Sequence, residues 1–297
     1  MQLLVYILVY PILWIISILP MRILYVTSDV VYVIIYHLIG YRKKTVRENL
    51  NLVFPEKSDS EKKDIEKKFY HHFCDIMLEA IKSLTISEAE IKKRMVPNNV
   101  EMMRKLESKG KSVVLMLPHY ANWEWAVVLE TYVSTYKTYA IYKRLKNKYF
   151  DAMIKRMRAK YKSNLITTKE AIITIKNAEK KGEITLSGFI SDQTPKTFTA
   201  LHWCDFMNIK VPVYTGAEMI SKKLDLGVIY LKINKVKRGY YKADFEIITL
   251  NPKEYEDYEI TEMFLKLVEK QIRETPEYYL WTHKRWKHRN SVPEKFK

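Results

Sequence analysis

Apolar residues form two long runs at the start of the chain. The segment "MQLLVYILVYPILWIISILP" carries no charged side chain from Gln2 to Pro20, and "ILYVTSDVVYVIIYHLIGY" follows with Asp29 inside it. The first run is about as long as a helix that crosses a bilayer core of roughly 30 Å. It lacks the basic start and the small-residue cleavage site of a secretory signal. The pattern therefore favours an uncleaved membrane anchor.

The second apolar run has two interpretations, a membrane-embedded helix or a helix lying against the bilayer. Both runs could instead be core helices of a soluble domain, although the charge-free beginning argues against this. Four basic residues follow in "YRKKTVR", and the positive-inside tendency places them in the cytoplasm. We predict a membrane anchor over residues 1–44 and a cytoplasm-facing catalytic domain over residues 45–297.

Beyond the anchor, the periodicity first indicates a long helix and then alternating strands and helices. "KSDSEKKDIEKKFYHHFCDIMLEAIKSL" has apolar residues three or four apart, and Ser58 and Glu61 have capping-box spacing. Helical segments, among them "NWEWAVVLETYV", separate the short apolar runs that follow. The predicted strands are "SVVLML", "TYAIY", "EITLSGFI", "LGVIYLKIN" and "YYKADFEIITL".

This alternation predicts an α/β fold with a largely parallel central sheet flanked by helices. The last two strands are joined by "KVKRG" and are expected to form an antiparallel edge. The sequence shows no internal repeat and no low-complexity linker. One catalytic domain after one helical anchor is the simplest organisation.

The composition limits the classes of partner and of binding site to be considered. The net charge is +17, which points to an anionic partner: nucleic acid, anionic lipid or an acidic protein. Nine basic residues lie between Lys143 and Lys162, opposed only by Asp151. The chain has seven glycines and no Gly-rich phosphate motif. Its two cysteines lack C-x-x-C spacing, which gives little support to a disulfide framework or a cysteine zinc site. The sequence has no evident cluster of metal ligands, and we expect neither a metal site nor a cofactor.

The stretch "MLPHYANWEW" places His119 just beyond a predicted strand and Glu124 five residues later. A histidine there can act as a general base, and a carboxylate on its other nitrogen would fix the tautomer. In a continuous helix the two side chains would diverge by about 140°, so the pairing needs a turn. On spacing alone, a buried structural histidine is the favoured interpretation.

No G-x-S-x-G motif provides a serine nucleophile, and Cys204 beside His202 has no identifiable orienting group. A base without a protein nucleophile suggests direct attack by a substrate hydroxyl on an activated acyl group. A cation or an amide would then stabilise the oxyanion.

Five sequence segments, which follow one another along the chain, add to this evidence. They are "VRENLNLVFPEKSDSEKK", "PHYANWEW", "IYKRLKNKYFDAMIKRMR", "SDQTP" and "PEYYLWTHKRWKHR". With these segments the chain resembles the lipid A biosynthesis acyltransferases, within the superfamily of lysophospholipid and glycerol-3-phosphate acyltransferases that carry an H-x4-[DE] motif. Ala121 stands where that family usually has glycine, and "TFTALHWCDFMNIKVPV" matches only loosely.

The resemblance implies an enzyme of the inner membrane that faces the cytoplasm. The donor would be an acyl thioester on acyl carrier protein, and the acceptor a hydroxyl of a lipid A precursor. His119 would be the general base, Glu124 its partner, and Arg158 the group that contacts the thioester oxyanion or a substrate phosphate. The residues expected to bind substrate are Tyr142, Asn147, Asp192, Gln193 and Arg285.

Three alternatives remain open. Related enzymes acylate other membrane lipids, including aminolipids and glycophospholipids. Trp281 and Trp286 lie among basic residues and could form a stacking surface of a membrane-tethered nucleic-acid binder, although we expect no nucleic-acid partner. An inactive homologue with a scaffolding role is the third. The sequence leaves open the acyl length, the hydroxyl acylated, the need for Kdo sugars, the oligomeric state and the number of membrane helices.

Overall fold

The protein is built around one seven-stranded sheet and a separate two-stranded sheet. The structure is a computed structural model that describes residues 1–133 and 135–296. Its strands are β1 Met95–Pro97, β2 Val113–Leu117, β3 Lys137–Tyr142, β4 Asn164–Thr167, β5 Thr185–Ile190, β6 His202–Phe206, β7 Ile209–Val213, β8 Gly227–Lys237 and β9 Tyr240–Thr249.

The large sheet has the order β1-β9-β8-β2-β5-β3-β4. Strands β8 and β9 pair antiparallel, and all other neighbours in this sheet pair parallel. The prediction of a largely parallel sheet is therefore confirmed. The antiparallel pair is not the edge, because the short strand β1 adds outside β9. Strands β6 and β7 form the antiparallel hairpin of the small sheet.

Helices flank the large sheet and also precede it, as expected. They are α1 Gln2–Ile18, α2 Met21–Tyr32, α3 Lys43–Val53, α4 Asp59–Lys82, α5 Glu88–Arg94, α6 Val100–Ser108, α7 Lys148–Ala159, α8 Ala171–Lys180, α9 Gly216–Leu224 and α10 Glu259–Glu274. A π-helical segment, Val33–Ile39, continues α2, and a 3-10 helix spans Trp125–Tyr132. The capping box predicted at Ser58 and Glu61 begins α4.

The apolar amino-terminal region divides at Leu19 and Pro20. Helix α1 has 17 residues, about 26 Å at 1.5 Å per residue, which is shorter than a bilayer core of roughly 30 Å. By length and composition, Met21–Ile39 is the helix of the described residues that could cross a membrane. The first run thus forms a shorter helix than the spanning one predicted from it, because Pro20 follows its end.

Both amino-terminal helices pack against the rest of the protein. Lys82 of α4 donates from Nζ to the carbonyl oxygens of Ser17 and Leu19 at 2.7 and 2.8 Å. Arg238, in the β8–β9 turn, donates from Nη2 to Asp29 Oδ1 at 2.6 Å. The faces turned away from these contacts are exposed and apolar. They include Leu4, Ile7, Leu8, Ile12 and Ile15 of α1, and Ile23, Val26 and Val30 of α2.

The centre of the sheet places two chain segments side by side. Strand β2 is buried along its whole length and lies between β8 and β5. Its last residue, Leu117, pairs in parallel register with Ile190, the last residue of β5. The segments leaving β2 and β5 therefore emerge together at the carboxyl edge, where open α/β sheets bind ligands.

Candidate active site

His119 and Asp192 meet at this carboxyl edge. Each lies two residues beyond the end of its strand, so the register of β2 and β5 brings them together. His119 Nδ1 and Asp192 Oδ1 are 2.7 Å apart. The His119 side chain keeps 19% of its surface exposed, whereas that of Asp192 keeps 1%. The imidazole is thus open to a substrate, and its carboxylate partner is not.

The contacts of the imidazole fix its tautomer. Burial by itself would raise the pKa of Asp192, but the charge and hydrogen bond of His119, with Arg285 nearby, hold that pKa below its usual value. An ionised carboxylate only accepts hydrogen bonds, so His119 Nδ1 donates. The amide nitrogen of Gln193 lies 3.2 Å from His119 Nε2 and donates to it. Nε2 is therefore the basic nitrogen.

Glu124 does not fill the role predicted for it. Its Oε2 accepts from Arg158 Nη2 at 2.9 Å, and its Oε1 accepts from Trp123 Nε1 at 3.1 Å. The expected pairing of His119 with Glu124 is corrected to a pairing of His119 with Asp192. The indole of Trp123 joins the two groups, because its ring packs edge-on to that of His119 with 5.2 Å between centroids.

A tight turn after His119 directs these side chains. Ala121 has φ +50°, in the left-handed region that glycine adopts most readily. Asn122 Oδ1 accepts from the Trp125 backbone N–H at 2.9 Å, and Asn122 Nδ2 donates to buried Glu79 at 2.6 Å. The chain thus turns before its 3-10 helix begins, and Glu124 points to Arg158 rather than back to His119.

The carboxyl-terminal segment fastens the same turn. The backbone N–H of Leu280 donates to the His119 carbonyl at 3.1 Å, and that of Ala121 donates to the Tyr278 carbonyl at 3.0 Å. Trp281 and Trp286 are fully buried beside this segment and stack on each other. They are core residues, which removes the surface on which the nucleic-acid interpretation depended.

Arg285 is buried completely, which is at odds with direct substrate contact. Its Nη1 donates to Thr194 Oγ1 at 3.0 Å and to the Pro212 carbonyl at 3.1 Å. Burial lowers the pKa of this guanidinium, while Tyr279 and Asp192 oppose that shift. Arg285 therefore holds the loop that carries Asp192.

Tyr142 and Asn147 also make structural contacts. The Tyr142 hydroxyl donates to Asp151 Oδ2 at 3.2 Å. Asn147 caps α7 by accepting from the Tyr149 backbone N–H at 3.0 Å, and its Nδ2 donates to the Gln2 carbonyl at 3.0 Å. These bonds fix the start of the helix that carries Arg158, and they join the loop before it to α1.

An apolar cavity opens beside Glu124 and Arg158. Its empty space, counted together with open solvent at its mouth, is about 730 Å³. Side chains from β2, β3, β5 and the 3-10 helix form its walls, among them Leu115, Leu117 and Ile190. An apolar groove is expected for an acyl chain, but its lining residues could not be named from the sequence, because its walls come from segments far apart in the chain.

A second polar group lies between β6 and α10. His202 Nε2, Cys204 Sγ and a Glu262 carboxylate oxygen are within 4.8 Å of one another, an arrangement that could hold a metal ion and was not expected. His202 and Glu262 are hydrogen-bonded at 2.8 Å. Burial raises the pKa of the Cys204 thiol to about 12, so it is protonated at neutral pH, which disfavours its use as a nucleophile.

A histidine at the carboxyl edge of a largely parallel sheet, with an arginine and an apolar cavity nearby, is an arrangement that suits an acyltransferase. Comparison with known proteins gives the family. The family model described as bacterial lipid A biosynthesis acyltransferase matches residues 1–288. The chain therefore belongs to that family. No curated protein sequence matches the chain.

Proposed function

We propose that this acyltransferase moves a fatty acyl chain from an acyl carrier protein thioester to a hydroxyl of a lipid A precursor, with His119 as general base. The observation that carries the proposal is the bond between His119 Nδ1 and buried Asp192, which makes Nε2 the nitrogen that can accept a proton. The family of the chain supplies the class of reaction and of acceptor.

The reaction needs no covalent enzyme intermediate. The acceptor hydroxyl displaces Gln193 from His119 Nε2, gives its proton to that nitrogen, and its oxygen attacks the thioester carbonyl. The carbon–sulfur bond of the tetrahedral intermediate then breaks, and the imidazolium returns the proton to the leaving thiolate. Asp192 stabilises the imidazolium between these steps.

Arg158 is the candidate for stabilising the oxyanion. Its guanidinium is held by Glu124 and lines the cavity mouth, as does Glu124 itself. A guanidinium offers five N–H donors, so one bond to Glu124 leaves others for a developing negative charge. In this proposal Glu124 orients Arg158, and the acyl chain of the donor lies in the apolar cavity.

The surface around α1 fits a membrane that carries anionic lipid. The exposed apolar faces of α1 and α2 would lie at the boundary between the headgroups and the acyl chains of one leaflet. Exposed Lys143, Arg144 and Lys146 lie in the loop that contacts Gln2 at the start of α1. Basic residues near an anionic surface contribute about 1 kcal/mol each, and the same charge suits the acidic acyl carrier protein.

We propose that residues 1–44 attach the protein to the inner membrane and that residues 45–297 form the catalytic domain on the cytoplasmic side. Asp29 lies within the second apolar helix and is paired with Arg238 of the catalytic domain. This pairing favours a helix that lies along the protein at the membrane surface over one that leaves it to cross the bilayer.

Mass spectrometry of lipid A and of total membrane lipids from a deletion strain tests the proposal. Loss of one ester-linked acyl chain from lipid A, restored by the wild-type gene and not by His119→Ala, is the expected result. An unaltered lipid A together with a missing aminolipid or glycophospholipid would move the acceptor to the other lipid class. No lipid change in the deletion strain would contradict the proposal.

A further inference from the structure

The cavity beside Arg158 contains an acidic side chain that the proposed reaction does not use, Glu130. Away from the mouth the walls are otherwise apolar and include Met103, Leu231 and Phe245. A plain hydrocarbon chain gains nothing from a carboxyl group in such a wall, and burying that group is unfavourable. The presence of Glu130 therefore points to a polar group on the molecule that occupies the cavity.

The 3-10 helix determines where Glu130 lies. Such a helix has three residues per turn, so Glu124, Val127 and Glu130 fall on one side, and all three line the cavity. At about 2.0 Å per residue, the backbones of Glu124 and Glu130 are about 12 Å apart along the helix. An acyl chain whose carbonyl lies at the mouth would meet Glu130 well along its length.

One oxygen of Glu130 makes no hydrogen bond of ordinary geometry within the described part of the chain. Oε1 accepts from Ser163 Oγ at 3.1 Å. Oε2 is buried and makes no hydrogen bond of ordinary geometry among residues 1–133 and 135–296, and Glu130 as a whole is 9% exposed. The Thr138 hydroxyl is near enough to lower the pKa of the carboxyl, but it donates to the Lys162 carbonyl oxygen. Burial raises the pKa of Glu130 to about 7, so near neutral pH this carboxyl can either accept or donate. A hydroxyl group has the same two capacities.

We propose that the cavity takes an acyl chain bearing a hydroxyl group remote from its thioester carbonyl, and that Glu130 Oε2 hydrogen-bonds this hydroxyl. The substrate class would then be a hydroxyacyl thioester, and Glu130 a specificity-determining residue. The inference rests on the proposed acyl transfer and adds the chemical nature of the donor chain.

Transfer rates with two sets of donors test the inference. The donors are acyl carrier protein thioesters of a saturated chain and of the same chain with one hydroxyl, placed at successive positions from the middle outward. Wild-type protein, Glu130→Leu and Glu130→Gln are compared by kcat/KM, with Val127→Ala as the matched variant on the same side of the helix. Binding of the corresponding free fatty acids, measured by calorimetry, provides a readout that needs no turnover.

The wild type should prefer one of the hydroxylated donors by about two- to twelvefold, as a single hydrogen bond allows. Glu130→Leu should remove or reverse that preference, Glu130→Gln should keep part of it, and Val127→Ala should change both donors by the same factor. Equal ratios in wild type and Glu130→Leu, in transfer and in binding, would overturn the inference while leaving the proposed function intact. A wild type that transfers no chain from any donor would instead overturn the proposed function.

Discussion

At the scale of single residues, two carboxylates near the sheet edge have different partners. Asp192 is buried and holds the imidazole of His119, while Glu124 lies at the cavity mouth and holds Arg158. The first contact sets which nitrogen is basic. The second places a cation beside the apolar cavity. The two acids should therefore respond differently to loss of charge.

Replacing Asp192 by Asn should lower kcat by about 10²–10⁴, because the imidazole would lose the partner that fixes its tautomer and steadies its cation. Glu124→Gln should lower kcat by a smaller factor, since the amide oxygen can still accept a hydrogen bond from Arg158. Steady-state rates with acyl carrier protein thioester and purified acceptor measure both. The reverse order, with Glu124→Gln the more damaging change, would return the role of histidine partner to Glu124.

Glu130 should make stability depend on pH. Burial raises its pKa to about 7 from an ordinary value of 4.5, so between these values the folded protein binds the extra proton. Stability from this group is complete below about pH 4.5 and is lost as pH rises through about 7. Between pH 5 and pH 8 the loss amounts to about 2–3 kcal/mol.

Denaturant unfolding at those two pH values measures this loss, and Glu130→Gln, which cannot titrate, should show a smaller one by about that amount. The same pH dependence in wild type and variant would show that the carboxyl of Glu130 is ionised in the folded protein across the whole range.

At the scale of elements, the strands and the long helices follow from periodicity, whereas the active-site turn does not. Strands β2, β5, β8 and β9 and the capped start of α4 are local patterns of apolar and polar residues. The segment "NWEWAVVLETYV" has helical periodicity, yet it forms a turn and a 3-10 helix. Its geometry depends on the left-handed φ of Ala121 and on Glu79, which is distant in sequence.

Part of the pairing of His119 with Asp192 could have been predicted from the sequence. Each residue follows a strand by two positions, and neighbouring parallel strands end at the same edge. What the pattern lacked was the strand order, which depends on packing of the whole sheet. The complete burial of Arg285 could not be predicted either, because no local feature of "WTHKRWK" distinguishes a buried cation from an exposed one.

Strand β5 offers a test of the acyl cavity. Gly188 lines the cavity, and a β-carbon added there would lie 3.8 Å from the nearest atom, the Tyr139 carbonyl oxygen. Gly188→Val should therefore fold, since β-branched residues suit strands, and its methyl groups should fill part of the cavity. Overpacking of about 1–3 kcal/mol would lower kcat/KM for the longest accepted chain by about 10- to 100-fold.

A series of acyl carrier protein thioesters of increasing length measures this effect. Ser187→Ala is the matched control, because alternate residues of a strand face opposite sides and Ser187 does not line the cavity. An unchanged length profile in Gly188→Val would place the acyl chain elsewhere.

At the scale of the whole molecule, one side combines exposed apolar helices with basic loops. Helices α1 and α2 are tied to the catalytic domain by Lys82 and Arg238, so their apolar faces and the active site belong to one body. A lipid acceptor could then reach His119 while its other chains stay in the leaflet. The net charge of +17 favours a surface rich in anionic lipid.

Introducing charge on α2 should weaken membrane binding. Val26 and Val30 are exposed and lie one turn apart, so the double change Val26→Glu and Val30→Glu places two carboxylates on the apolar face. Removing two buried apolar side chains from the bilayer, each worth about 1.5–3 kcal/mol, should reduce partitioning at least about tenfold. Flotation with vesicles of phosphatidylethanolamine and phosphatidylglycerol measures it.

The control for that experiment is Ile173→Glu, which changes an equally exposed apolar residue on α8. It should float as the wild type does. Flotation of the double variant at the wild-type level would show that α2 does not enter the membrane.

The most direct measurement is the rate of ester formation by wild type and His119→Ala with an acyl carrier protein thioester and a lipid A precursor, the product being identified by mass. If Nε2 of His119 removes the hydroxyl proton, the variant should be slower by about 10² or more, with its fold unchanged by circular dichroism. Ester formation by His119→Ala at the wild-type rate would contradict this account of the enzyme.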